Sequence, residues 1–285
     1  MTLPKQIFVF ISLFSTILVT FTIVVQALEF EGKFIEGSMI IGRVPITNTV
    51  TVEGRKLRVT DEGFFVFGLG YGSREIEISI VDTDGQTQFY KYKVYQRVYK
   101  TQRIDGLPPE KVNPSEKILK RIKAEQRLVA KARDKASPRT YFIEGFIWPA
   151  LGKISGVYGS KRILNGESRQ PHFGIDIAAP VGWPVISPAG GIVTLAENDL
   201  YFSGGTLIID HGHGISSSFL HLSKLKVNVG QHVKKGQEIG SIGATGRVTG
   251  PHLDWRINWF NQRLDPALIV GSMPLESIPP PPMRP

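Results

Sequence analysis

The chain contains no cysteine. That excludes a thiol nucleophile, a disulfide framework and any cysteine-ligated zinc site, so a metal would have to rest on histidine, aspartate or glutamate. Histidine is scarce too: there are six in 285 residues, none of them before position 172. There is no His-Glu-x-x-His segment, which removes the helix-borne glutamate base of one large group of metalloproteases. No nucleic-acid-binding motif accompanies the net charge of +9, and nucleic acid is not expected as a partner. A basic chain is drawn equally to anionic envelope polymers and lipid head groups. The 41% hydrophobic fraction over this length predicts packed cores rather than disorder.

A long apolar run covers residues 7–25, after a start whose single charge is Lys5. It ends in Val25-Gln26-Ala27, with small residues where a signal peptidase cuts. Residues 1–27 are expected to direct export, as a cleaved signal peptide or as an uncleaved anchor, since the run is close to the roughly 20 residues that span a bilayer. The expected location is the periplasm or cell envelope, and membrane contact arises only through this segment if it is retained.

Residues 28–100 read as strand after strand. Ile76, Ile78 and Ile80 alternate with Glu75, Glu77 and Ser79, and Tyr90, Tyr92 and Val94 with Lys91 and Lys93, the period of a half-buried antiparallel sheet. Asp61-Glu62-Gly63 and Asp82-Thr83-Asp84-Gly85 punctuate the runs as turns, and Phe64 to Phe67 reads as core. A small β-sandwich is expected. Residues 101–137 read as a linker and a basic amphipathic helix: Asn113-Pro114-Ser115-Glu116 offers an N-cap, a first-turn proline and a capping-box glutamate. Ile118, Leu119, Ile122, Leu128, Val129 and Ala132 are its expected apolar face, and its simplest role is a connector packed on the domain after it. Residues 138–272 return to short β runs and many glycines, with strands expected at 191–195, 206–210 and 216–222, and residues 273–285 form a proline-rich tail. The expected fold is mainly β: an N-terminal β-sandwich, a connecting helix, then a glycine-rich antiparallel β domain.

Chemistry concentrates in three stretches of that last region. In Pro171-His172-Phe173-Gly174-Ile175-Asp176, four residues of straight strand would hold the imidazole and carboxylate about 13 Å apart, yet a shared ion needs each within roughly 2 Å. The chain must bend between them, and Gly174 is the residue to supply the bend. A polar pair in a loop is the plainer reading of this hexapeptide taken alone. The second stretch, Asp210-His211-Gly-His-Gly-Ile-Ser-Ser-Ser-Phe-Leu-His221, ends in a histidine on an expected strand. The third ends in His252-Leu253-Asp254, whose outer residues share one face of a strand and can reach one cavity. His211 and His213 are expected in a loop and His232 at the surface.

These motifs, with Asp176-Ile-Ala-Ala-Pro180, Gly243-x-Thr-Gly246 and Thr249-Gly-Pro-His-Leu253 around them, resemble the lysostaphin-type, LytM-like zinc metalloendopeptidases of peptidoglycan over about residues 145–270. The resemblance implies a catalytic domain of that type. It implies zinc ligands at His172 and Asp176, a water-polarising histidine at His221, a catalytic histidine at His252 and the third ligand at Asp254. One position departs from the pattern, since Asp254 stands where most of the family has histidine. Aspartate can ligate zinc, but two carboxylates would cancel its formal charge and tilt preference toward harder ions such as Mn²⁺. The function implied is hydrolysis of stem-peptide or cross-link amides of peptidoglycan by metal-activated water. The other reading is a catalytically weak or inactive wall-binding relative that regulates a separate hydrolase.

Overall fold

The structure, a computed structural model, describes residues 28–274, so the export segment 1–27 and all but the start of the proline-rich tail lie outside the described residues. Among the described residues no helix is long and apolar enough to cross a membrane.

The N-terminal strands form two sheets. β1 (Glu29–Glu31), β2 (Met39–Arg43) and β5 (Phe64–Gly68) make one, in the order β1-β2-β5. β3 (Thr49–Val52), β4 (Arg55–Leu57), β6 (Glu75–Val81) and β7 (Thr87–Lys93) make the other, in the order β4-β3-β6-β7. The expected alternation holds on β6, where Ile76, Ile78 and Ile80 are buried and Glu75 and Glu77 exposed. Phe65 and Phe67 are fully buried and stack at 6.2 Å, so the phenylalanine cluster is core.

The segment after the sandwich differs from expectation in two ways. β8 (Thr101–Ile104) is a strand rather than linker, running parallel to β10 (Lys161–Leu164), which in turn pairs with β11 (Glu167–Arg169). Four residues carry too little periodicity to announce a strand whose partner is far along the chain. A short helix, α1 (Pro109–Val112), then uses the Asn113 amide to close its last turn on Pro109. The long helix α2 (Glu116–Arg133) therefore begins later than Asn113-Pro114 suggests, with Ser115 as its extended N-cap and no side-chain capping bond. Ile122 and Ala132 are buried on its inner face, but Leu119 and Leu128 are 42% and 40% exposed, so the apolar stripe is narrower than the sequence implies. Val129 and Ala132 pack on Leu195, Leu200 and Ile208, which makes α2 a connector laid across the next sheet.

That sheet holds β9 (Lys153–Gly156), β12 (Ile175–Ala178), β13 (Pro184–Ile186), β14 (Gly191–Leu200), β15 (Gly204–Gly212), β16 (Ile215–Leu225), β17 (His232–Val233), β18 (Glu238–Ile242), β19 (His252–Trp259) and β20 (Gln262–Leu264). Its main path runs β17-β14-β15-β16-β19-β12-β9 with antiparallel pairing throughout. β15 is buried on both faces, because α2 and the 3₁₀ turn Tyr141–Glu144 cover what an isolated sheet would leave wet, and most of β16 is buried beside it. A short helix, α3 (Pro266–Val270), is capped by Asp265, whose other carboxylate oxygen takes a 2.7 Å bond from Arg97 of the sandwich. The sandwich and the sheet thus share a seam, and one continuous apolar core runs from Ile40 to Leu264.

Candidate metal centre and its cleft

β12 and β19 pair so that Asp176 lies opposite Asp254 and Ala178 opposite His252. Residues directly opposite in an antiparallel pair project to one face with Cβ atoms about 5 Å apart, so register alone brings the two carboxylates together. His172 enters from the segment before β12, its amide bonded to the Ser160 carbonyl at 2.9 Å and its own carbonyl to the Gly159 amide at 2.7 Å. The chain bends at Gly174 as the spacing requires, but this glycine is not in the left-handed region. Its requirement is space: a Cβ here would lie 2.5 Å from Asp254 Oδ1 and 2.7 Å from Arg256 Cγ.

His221 arrives by a different device. Between the pairs Leu207–Phe219 and Gly205–Leu222, β16 carries one residue more than β15, a bulge at Leu220–His221. The φ of His221 is 67°, a left-handed conformation that costs a non-glycine residue about 1–2 kcal/mol. Simple alternation would send His221 to the face opposite Leu220, which itself lies across from Asp254. The bulge breaks that alternation and sets the His221 ring 4.8 Å from that of His252, centroid to centroid.

His172, Asp176 and Asp254 each offer a ligand atom, all within 4.8 Å of one another, and all three residues are buried. Ligands about 2.1 Å from a common ion stand roughly 3.5 Å apart, so a small inward adjustment completes the set. His172 Nε2 lies 3.0 Å from Asp176 Oδ1, yet neither atom has an aligned hydrogen-bond partner. The His172 nitrogens and Asp176 Oδ1 are thus buried polar atoms without partners, as a cation cradle requires, and with an oxygen of Asp254 they fit a divalent ion.

Two arginines modify the expected charge balance. Arg256, two residues along β19 on the same face as Asp254, grips it through Nε–Oδ1 at 2.9 Å and Nη2–Oδ2 at 2.5 Å. Arg162 of β10 reaches Asp176 Oδ2 at 2.8 Å. The expectation that two carboxylates would cancel a dication's charge is corrected: each carboxylate already carries a guanidinium, so an added ion keeps a net positive field. Burial by itself raises both carboxyls. For Asp254 the Arg256 charge, helped by His172 and His221, outweighs burial and holds it far below the usual carboxylate range. For Asp176 burial and the Asp254 charge are overcome by His172 and Arg162, with the same direction. The arginines were legible in part, since Asp254-Trp255-Arg256 places acid and base on one strand face, whereas nothing local ties Arg162 to Asp176.

The two remaining imidazoles have fixed tautomers. His221 Nδ1 meets the Thr245 carbonyl at 2.8 Å and His252 Nδ1 meets the Gly250 carbonyl at 2.9 Å. A carbonyl only accepts, so each Nδ1 carries a proton and each Nε2 is the ring nitrogen left without a backbone partner. Burial pushes His221 down to about 4, only partly opposed by Asp254, so it is neutral at pH 7. Both rings and Asp176 line one cleft of about 280 Å³, walled on its other side by Gln102 and Ile104 of β8 and by Leu107. A larger cleft of about 420 Å³, beside Arg58 and Arg139, contains none of these groups. His211 corrects expectation: it is not in a loop but fully buried on β15, between the Gly190 carbonyl and the Ser217 hydroxyl. His213 is in the turn but buried against Phe142, and His232 is exposed.

Fold and site together define a two-part β protein whose larger sheet carries a candidate metal centre. Residues 170–266 match the model of peptidase family M23, a LytM-type domain. Over 106 residues the chain is 46% identical to the peptidoglycan DD-endopeptidase ShyA of Vibrio cholerae, covering 37% of this chain and 24% of that protein. Over 131 residues it is 33% identical to the cell division protein DipM of Caulobacter vibrioides, covering 44% of this chain and 21% of that one. The chain therefore spans less than a quarter of the length of these relatives. A crystal structure of a Pseudomonas aeruginosa protein named for peptidase M23 superposes with a TM-score of 0.66 at 28% identity, covering 85% of this chain and 96% of that one. The likeness extends over the sandwich as well as the large sheet.

Proposed function

We propose that the chain is a zinc metalloendopeptidase that hydrolyses stem-peptide or cross-link amides of peptidoglycan. The observation that carries the reading is the closure of His172, Asp176 and Asp254 within 4.8 Å beside two imidazoles, each oriented through its Nδ1 by a backbone carbonyl. Kinship with an M23 relative named a peptidoglycan DD-endopeptidase supports the substrate class. His172, Asp176 and Asp254 would hold the ion, and zinc is proposed ahead of manganese because Arg162 and Arg256 offset the two carboxylates. When bound, the ion supplies a Lewis acid and an activated water at neutral pH.

The protein's own groups do the rest. His221, neutral and anchored on Thr245, accepts a proton at Nε2, and His252, anchored on Gly250, offers a second Nε2 beside it. Protonated, either imidazole donates to an oxyanion or to the departing amine. The lining from β8 narrows the cleft and limits water around the scissile amide. Residues 1–27 would deliver the protein to the periplasm or cell envelope, where this substrate lies.

The test uses full-length protein, purified peptidoglycan and mass spectrometry of the released fragments. Wild type should contain close to one metal per chain and release peptide-cleaved fragments, and His172→Ala should lose both. Wall binding with no fragment release in the presence of zinc or manganese would overturn the enzyme reading in favour of a regulatory wall-binding protein.

A further inference from the structure

Arg162 and Arg247 line the cleft, and Arg256 and Arg169 lie near enough for their charges to act on Arg247. Arg162 is paired with Asp176, Arg256 with Asp254, and Arg169 with Glu167 at 2.6 Å. Arg247 has no carboxylate partner among the described residues, although it lines the same cleft as Asp176, His221 and His252. Of its five N–H donors, one meets the Lys111 carbonyl at 3.2 Å, and its guanidinium lies 4.3 Å over the Phe202 ring. These two contacts fix the plane of the group and leave its other donors free.

The backbone beneath it is pinned equally well. Arg247 N donates to the Phe202 carbonyl at 2.8 Å, and two residues earlier Thr245 Oγ1 accepts from Gly205 N and donates to the Leu222 carbonyl. Thr245 also holds His221 through its carbonyl, so one short loop sets both the imidazole and the guanidinium. Burial, then the charges of Arg162, Arg256 and Arg169, push Arg247 down to about 10, which still leaves it a cation at neutral pH. A half-buried cation kept beside like charges, with no acid of its own, is costly unless something anionic meets it.

We propose that Arg247 is a specificity-determining residue that receives a free carboxylate of the substrate, so that the cleft selects peptides carrying an unamidated acid group beside the scissile amide. The inference rests on the endopeptidase reading for the word substrate, but the contact itself needs no turnover. A planar guanidinium with free paired donors matches a carboxylate bidentately, which a lysine cannot reproduce. Losing such a charge-assisted contact weakens binding by about tenfold to a hundredfold.

The probe is a synthetic tetrapeptide with one free side-chain carboxylate next to its central amide, compared with the same peptide amidated at that group. Binding to full-length protein is measured by calorimetry after chelator treatment, where no cleavage occurs. Wild type should favour the acid over the amide by about tenfold or more. R247Q should bring the ratio close to one, R247K should restore only part of it, and metal content should match wild type in both variants. Equal affinity of wild type for the two peptides, or an undiminished preference in R247Q, would overturn the proposal. If metal-loaded wild type cleaves neither peptide while the binding preference persists and R247Q abolishes it, the endopeptidase reading fails and the carboxylate contact stands.

Discussion

Arg256→Met isolates the electrostatic design of the centre, because methionine keeps an unbranched apolar stem and removes only the charge. In the metal-free protein the change leaves Asp254 buried opposite Asp176 with one guanidinium, Arg162, for two carboxylates. Breaking a buried ion pair from one side costs about 3–5 kcal/mol, and the lower end applies because a quarter of the Arg256 side chain is exposed and Asp254 can take up a proton. At about 2–4 °C per kcal/mol for a chain of this size, the apo variant should melt roughly 6–12 °C below wild type. A bound dication restores the missing positive charge, so the deficit should shrink on adding zinc. By linkage the same free energy reappears as tighter metal binding, with a ceiling of about a hundredfold for 3 kcal/mol. Differential scanning calorimetry with chelator and with zinc, for both proteins, measures all four corners of the cycle. An apo variant melting within about 2 °C of wild type, or a zinc-induced rise no larger than in wild type, would refute the charge-sharing account.

The geometry makes two further outcomes testable. Gly174→Ala places a methyl against Asp254 Oδ1 and Arg256 Cγ, and should cost about 1–3 kcal/mol and most of the bound metal, readable by elemental analysis of the folded protein. His211 is buried neutral and pushed down to about 4, mainly by burial, so between about 6.5 and 4 the unfolded chain binds the extra proton and stability rises with pH. Melting temperature should fall as pH is lowered through that window, and a flat profile there would contradict the burial of His211.

Much of the site was legible because its chemistry depends on residue types at short spacings. His172 to Asp176 demands a bend, His252 and Asp254 share a strand face, and the chain contains no cysteine to offer another ligand set. Strand positions in the sandwich were equally readable, since Ile76, Ile78 and Ile80 bury one face of a sheet in strict alternation. The sequence was silent wherever a partner lay far along the chain. Thr101–Ile104 becomes a strand only because Lys161–Leu164 lies beside it. The start of α2 moved because Asn113 is used to close the turn before it.

Residue identity alone therefore determined which imidazoles and carboxylates are candidates for holding a cation, and that the scaffold carrying them is mainly β. Tertiary structure decided how those groups are charged and aimed. Register set Asp176 against Asp254, a bulge with a left-handed residue turned His221 toward His252, and Arg162 and Arg256 reached the two carboxylates while Arg247 was left without one. Side-chain periodicity is a local property of the backbone, but a carboxylate's net field is the sum over every charge that folding brings within a few ångströms, and most of those come from distant parts of the chain.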